Sequence, residues 1–195
     1  MTYQIMDFFV DYCGFFNFRQ FGFKDPEPKL FKPGLLRPEI VLITEKDDCL
    51  EYAARLVREF GVSHYHLGGQ PSLLRSEYVA ERLLRVLRCF WGIAYVDYDA
   101  GGWALGRAAA NQLERQGLEV RRFDYLIRED CFTEEEKLLH SHPCKMGGLN
   151  HKSKVANWIA RGGGLAGQAR GIYASQVDPY ARIRTLFVNL LQEED

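Results

Sequence analysis

Three acidic residues stand where they could share a cation. Asp97 and Asp99 lie one residue apart in AYVDYDAGGW (94–103), directly after a short apolar run, and Glu45 closes another apolar run in VLITEKDD (41–48). Side chains two apart on an extended backbone point the same way, so the two aspartates address one spot. Three carboxylates gathered there repel, and one must take up a proton unless a cation sits among them. Short oxygen ligands suit magnesium, with manganese as a substitute, because magnesium keeps several waters and shares its shell with substrate phosphates. The chemistry implied is metal-assisted work at a phosphate. A lone DxD also has a plainer explanation, since acidic residues cap helices after strand-to-helix turns, and Asp99 precedes a helix expected to begin near Gly102. The pairing with Glu45 at a second strand end is what favours the cation.

For Glu45 to meet the aspartates, two strands must end side by side. The β-branched run 40–44 reads as a strand buried on both faces. Further strands are expected at 63–67, 92–96 and 119–127, alternating with helices at 47–60, 72–90 and 102–116. This alternation predicts an α/β domain with a mainly parallel sheet flanked by helices, spanning 40–127. In such sheets ligands bind outside the carboxyl ends of the strands, where all three acids fall. Residues 1–39, rich in phenylalanine and then broken by prolines, read as an irregular lead-in. Residues 128–195 read as a helical C-terminal extension, with helices at 133–141, 151–164 and near 179–191, and GGG at 162–164 as a flexible joint.

A chain of 195 residues, 47% hydrophobic and 26% charged, is long enough and apolar enough to bury one substantial core. Its formal net charge of −1 supplies no global basic field, so any DNA contact falls to local clusters. Five cysteines without CxxC spacing argue against a disulfide framework. No run of eighteen apolar residues predicts a membrane span, and the first residues carry Asp7 and Asp11 without a basic leader, unlike a signal peptide. A cytoplasmic protein is the expectation.

The order and spacing of these motifs resemble the Toprim domain, the metal-binding module of topoisomerases, DnaG-type primases and several nucleases. The closer resemblance is to the A subunit of DNA topoisomerase VI and its relative, the meiotic double-strand-break protein. It is carried by VLITEKDD, with Glu45 in the glutamate position and Lys46 beside it, by LGGQPS through Gly69 and Pro71, and by DYDAGG through Asp97, Asp99 and Gly102. Ala100 stands where that pattern has proline. The resemblance covers 40–127. Beyond it, GQARGIYAS (167–175) has Gly171 and Tyr173 where the family's acidic residues would be. The resemblance implies that Asp97 and Asp99 bind magnesium, and that Glu45 is a further ligand or a general acid/base at the scissile phosphate. It also implies that Lys46, Gly69, Gln70 and Ser72 contact phosphate or DNA. The family's topoisomerases cut with a tyrosine on a preceding winged-helix domain. The 39 residues before the first strand are too few and too proline-broken for one, so strand cleavage or nicking within a larger assembly, with a protein partner or second copy, is expected over a complete topoisomerase cycle.

Other signals have bland readings. His140, His142 and Cys144, with Cys131 and His151 nearby, lack the paired spacing of a zinc site and read as surface loop residues. His64 and His66 flank Tyr65 on a strand, where satisfied imidazoles are commoner than functional ones. Arg75, Arg82, Arg85 and Arg88, with Arg121 and Arg122, form a stripe able to contact phosphates but partly neutralised by Glu77 and Glu81. A non-catalytic interaction module that keeps the fold is the main alternative, docking through the aromatic N-terminus or the apolar last helix. A phosphatase or glycosyltransferase using DYD explains Glu45 less well.

Overall fold

The computed structural model describes residues 31–69, 72–146 and 149–193. Most of the aromatic lead-in, together with Gln70 and Pro71, lies outside them. Strands β1 (Phe31–Lys32), β2 (Arg37–Thr44), β3 (Val62–His66), β4 (Cys89–Tyr95) and β5 (Glu119–Tyr125) form one sheet in the order β1-β3-β2-β4-β5. The pairs β2–β3, β2–β4 and β4–β5 are parallel, and β1 runs antiparallel to β3. The described helices are α1 (Leu50–Phe60), α2 (Leu73–Leu83), α3 (Ala100–Arg115), α4 (Glu134–His140), α5 (Leu149–Ala160) and α6 (Tyr180–Gln192). This is the α/β architecture with a mainly parallel sheet that the alternating pattern predicts.

Alternation along the strands divides the core in two. Ile40 and Leu42 of β2 join Trp91, Ile93 and Tyr95 of β4 in a cluster covered by Ala53 and Leu56 of α1 and by Ile183 and Phe187 of α6. Val41 and Ile43 face the other way, with Tyr65 and Phe90, against Val79 and Leu83 of α2 and Ala109 and Leu113 of α3. Residues beyond 127 belong to the first cluster, through Val155, Trp158, Ile172 and Val177. The carboxyl ends of β2 and β4 therefore lie beneath chain contributed from 140 onward.

Two element boundaries differ from expectation in ways that bear on the site. The sheet begins before residue 40, because β1 and the start of β2 recruit residues from the proline-broken stretch. Helix α2 stops at Leu83 instead of continuing to 90. The periodicity of LLRVLRCF continues past that point, but Phe90 and Trp91 are fully buried in β4, and burial in the sheet outweighs local helix preference. The glycine triplet forms a tight turn packed on Trp158. Gly162 and Gly164 take φ of +83° and +89°, and a Cβ on Gly163 would lie 2.3 Å from Nε1 of Trp158. Among the described residues, no helix is long and apolar enough to cross a membrane.

Candidate functional site

The register of β2 on β4 sets the first contact. Thr44 lies opposite Tyr95, so carrying the register two residues further brings Lys46 level with Asp97. Their side chains form an ion pair, with the Lys46 ammonium donating to Asp97 Oδ2. The second oxygen, Oδ1, accepts a hydrogen bond from the backbone amide of Ala174 at 2.8 Å. Asp97 is buried, and both its oxygens are engaged. Asp99 is the N-cap of α3, its Oδ1 accepting from the Gly102 amide at 2.7 Å. The capping role expected of Asp99 is therefore present.

A strap from the C-terminal part of the chain closes over these residues. Tyr98 and Ile172 exchange a pair of backbone hydrogen bonds, each 3.0 Å, which lays residues 170–174 against the aspartates. Short strand β7 (Arg170–Gly171) pairs antiparallel with β6 (His142–Pro143), with His142 opposite Gly171. A Cβ at Gly171 would fall 2.5 Å from the Cβ of Asp99, so the glycine is what lets the strap approach. His142 is carried to Asp99 in this way, its Nε2 4.0 Å from Asp99 Oδ2. The His142 ring stacks on Tyr173 at 4.2 Å, and the Lys46 ammonium lies 4.6 Å from the centre of the same tyrosine ring.

These groups line a cleft of about 520 Å³ at the carboxyl edge of the sheet. Glu45, Asp97 and Asp99 are all on its walls, facing Lys46, Lys145 and Lys154 with His142 and His151. Burial, then the neighbouring Asp97 and Asp99, push the Glu45 carboxyl above its ordinary value against the pull of Lys46. Burial alone would lower the Lys46 ammonium, but the hydrogen bond and charge of Asp97, aided by Glu45 and Asp99, hold it above the usual lysine value. Among the described residues, no three His, Cys, Asp or Glu side chains stand close enough to form a ready-made metal cage. The donor set nonetheless suits a hard cation that uses few protein oxygens and completes its shell with water and phosphate. Lys46 already provides one positive charge among the acids.

The remaining expected site residues are elsewhere. Ser72 caps α2, its hydroxyl accepting from the Arg75 amide. Gly69 takes φ of +106° in the preceding turn, and neither residue lines the cleft. Gln70 lies outside the described residues. His64 and His66 turn to Thr44, whose hydroxyl is 2.9 Å from His64 Nε2 and 2.9 Å from His66 Nδ1. The arginine stripe is largely occupied within the fold. Arg85 pairs with Glu81, Arg88 donates to the Leu84 carbonyl, and Arg122 pairs with Asp124 while covering Trp91. Sequence reasoning missed Lys145, Lys154, Tyr173 and the Ala174 amide, and assigned His142 and His151 to a surface loop. The signal available for them was the basic and imidazole content of 140–154, far along the chain from the acids.

Comparison with family models, with characterised proteins and with solved structures finds no match to this chain.

Proposed function

We propose that this chain acts on phosphodiester bonds of nucleic acid, DNA in the first instance, at the cleft shared by Glu45, Asp97 and Asp99, with magnesium as its resident cation. One observation supports the reading above the rest. Carboxylates from two strand ends and three lysines from separate stretches of chain line one cleft at the carboxyl edge of a mainly parallel sheet, where such folds bind ligands. When bound, the ion would neutralise phosphate charge and lower the cost of the developing oxyanion. Burial and the neighbouring aspartates hold the Glu45 carboxyl above its ordinary value while no cation is bound, and a bound ion would offset both effects and draw the carboxylate into its shell. The Glu45 carboxyl, Asp99 Oδ2 and, where the Lys46 ammonium gives way, Asp97 Oδ2 are the oxygens that would meet the ion, while Lys145 and Lys154 anchor flanking phosphates. Within a larger assembly the chain would supply the phosphate-handling half of strand cleavage or nicking.

A non-catalytic interaction module is favoured by one specific contact. Lys46 and the Ala174 amide together satisfy Asp97 without any ion. Incubation of supercoiled plasmid and single-stranded circles with the chain and magnesium distinguishes the two. The proposal expects nicking that Glu45→Gln and Asp99→Asn each reduce at least a hundredfold. Folded wild type that leaves both substrates intact would favour the module.

A further inference from the structure

A second cavity, of about 610 Å³, adjoins the carboxylate cleft and shares Asp97 and Asp99 with it. Its character is different, because Trp103, Phe123, Tyr125 and Trp158 line it, with Arg161 at the edge. One helix face joins the two. His151, Lys154 and Val155 of α5 line the first cleft, and Trp158 with Arg161 and Gly162 just beyond line the second. Positions 151, 154, 155 and 158 recur at helical spacing on one side. Arg161, just past the end of α5, stands seven positions beyond Lys154, about 10 Å along the helix axis.

The charges in the second cavity are mostly spent. Asp124 accepts from Trp91 Nε1 at 2.7 Å and pairs with Arg122, while Lys137 and Arg128 lie 3.9 and 3.6 Å from Glu129 and Asp130. Arg161 is exposed and makes no ion pair among the described residues, its guanidinium resting 5.5 Å from the centre of the Trp103 ring. Lys154 is likewise without an ion pair among the described residues. A half-buried indole beside a guanidinium without a carboxylate partner among the described residues suits a flat ring attached to a phosphate. Bases in a duplex have both faces covered by their neighbours, so a concave aromatic wall of this kind selects unpaired ones.

We infer that the face of α5 lines a continuous track for single-stranded nucleic acid, with Trp103 stacking an unpaired base and Arg161 and Lys154 contacting its phosphates. This rests on the nucleic-acid reading above and narrows it to unpaired strands. Flanking nucleotides would thereby be held beside Glu45 and Asp99.

Fluorescence anisotropy of a labelled short oligothymidylate, measured with the full chain in EDTA, tests it. The oligonucleotide is expected to bind more tightly than a duplex of equal length. Trp103→Ala should weaken binding roughly tenfold or more, and Trp103→Phe should retain most of it. Arg161→Ala, in an exposed turn where folding is not at stake, should reduce the slope of log affinity against log salt by about 0.7. Absence of binding, equal affinity for duplex, or an Arg161→Ala curve superimposed on wild type overturns the inference. Because EDTA removes any metal-dependent reaction, a failure to nick plasmid counts against the proposed chemistry and leaves this result standing.

Discussion

Asp97 keeps one oxygen on Lys46 and the other on the Ala174 amide, so a divalent ion, as proposed for this cleft, would compete with an ammonium already in place. In the free protein the same ammonium cancels part of the repulsion among the three acids. Other buried ionisable groups solve the same problem differently. His64 is pushed down from 6.5 to about 4, first by burial, then by the charges of His66 and Lys32. Its Nε2 meets the Thr44 hydroxyl, which also meets His66, and His66 Nε2 reaches Asp47 at 3.3 Å. Between those two values the unfolded chain binds a proton that folded His64 refuses. Stability therefore falls as pH drops from about 6.5 toward 4. His64→Gln, which keeps a hydrogen-bonding group toward Thr44 but cannot titrate, should flatten that part of a plot of urea midpoint against pH. An unchanged slope would place the acid sensitivity elsewhere.

Element boundaries decide how closely the acids meet. Asp99 ends the turn after β4 and begins α3, so one residue serves both the helix and the cleft. Asparagine caps a helix about as well as aspartate, whereas alanine does not. Asp99→Asn should therefore keep wild-type stability in urea unfolding while removing the charge. Asp99→Ala should cost about 1 kcal/mol besides. The strand ends bearing Glu45, Asp97 and Asp99 were legible in the sequence because β-branched and aromatic runs stop at them and periodicity changes from strand to helix. The strap was not legible. Its decisive contributions are a backbone amide at Ala174, which any residue but proline supplies, and a glycine at 171, whose role depends on the Tyr98–Asp99 turn some seventy residues earlier. Gly171 and Tyr173 read as departures from an acidic motif. In the fold, Gly171 makes room for Asp99, and Tyr173 lies beneath His142 and Lys46. Helix α2 is shorter than its apolar spacing predicts, because that spacing continues into residues that the sheet buries.

At the scale of the whole molecule, residues 128–193 complete the core and the cleft together. Trp158, Ile172, Ile183 and Phe187 are buried against the sheet face that carries Leu42, Trp91 and Ile93. A chain ending at Ile127 would expose that face and lose the Ala174 contact to Asp97. It should show no cooperative thermal transition by circular dichroism, and a sharp transition would show that the sheet folds without its cover. Composition alone hid this dependence, because a helical stretch after a complete βα pattern reads as an appendage until its apolar residues are matched to an uncovered sheet face. The central claim is that Glu45 and the two aspartates share a divalent cation, and thermal unfolding across a magnesium titration tests it most directly. A ligand held only by the folded state stabilises it by about 2.7 kcal/mol at a hundred times its dissociation constant. The melting temperature of wild type should rise with magnesium and that of Lys46→Met should rise at lower concentration, because no ammonium competes. Glu45→Gln and Asp99→Asn should respond weakly. Melting temperatures that ignore magnesium, or that rise equally in all four proteins, would contradict the claim.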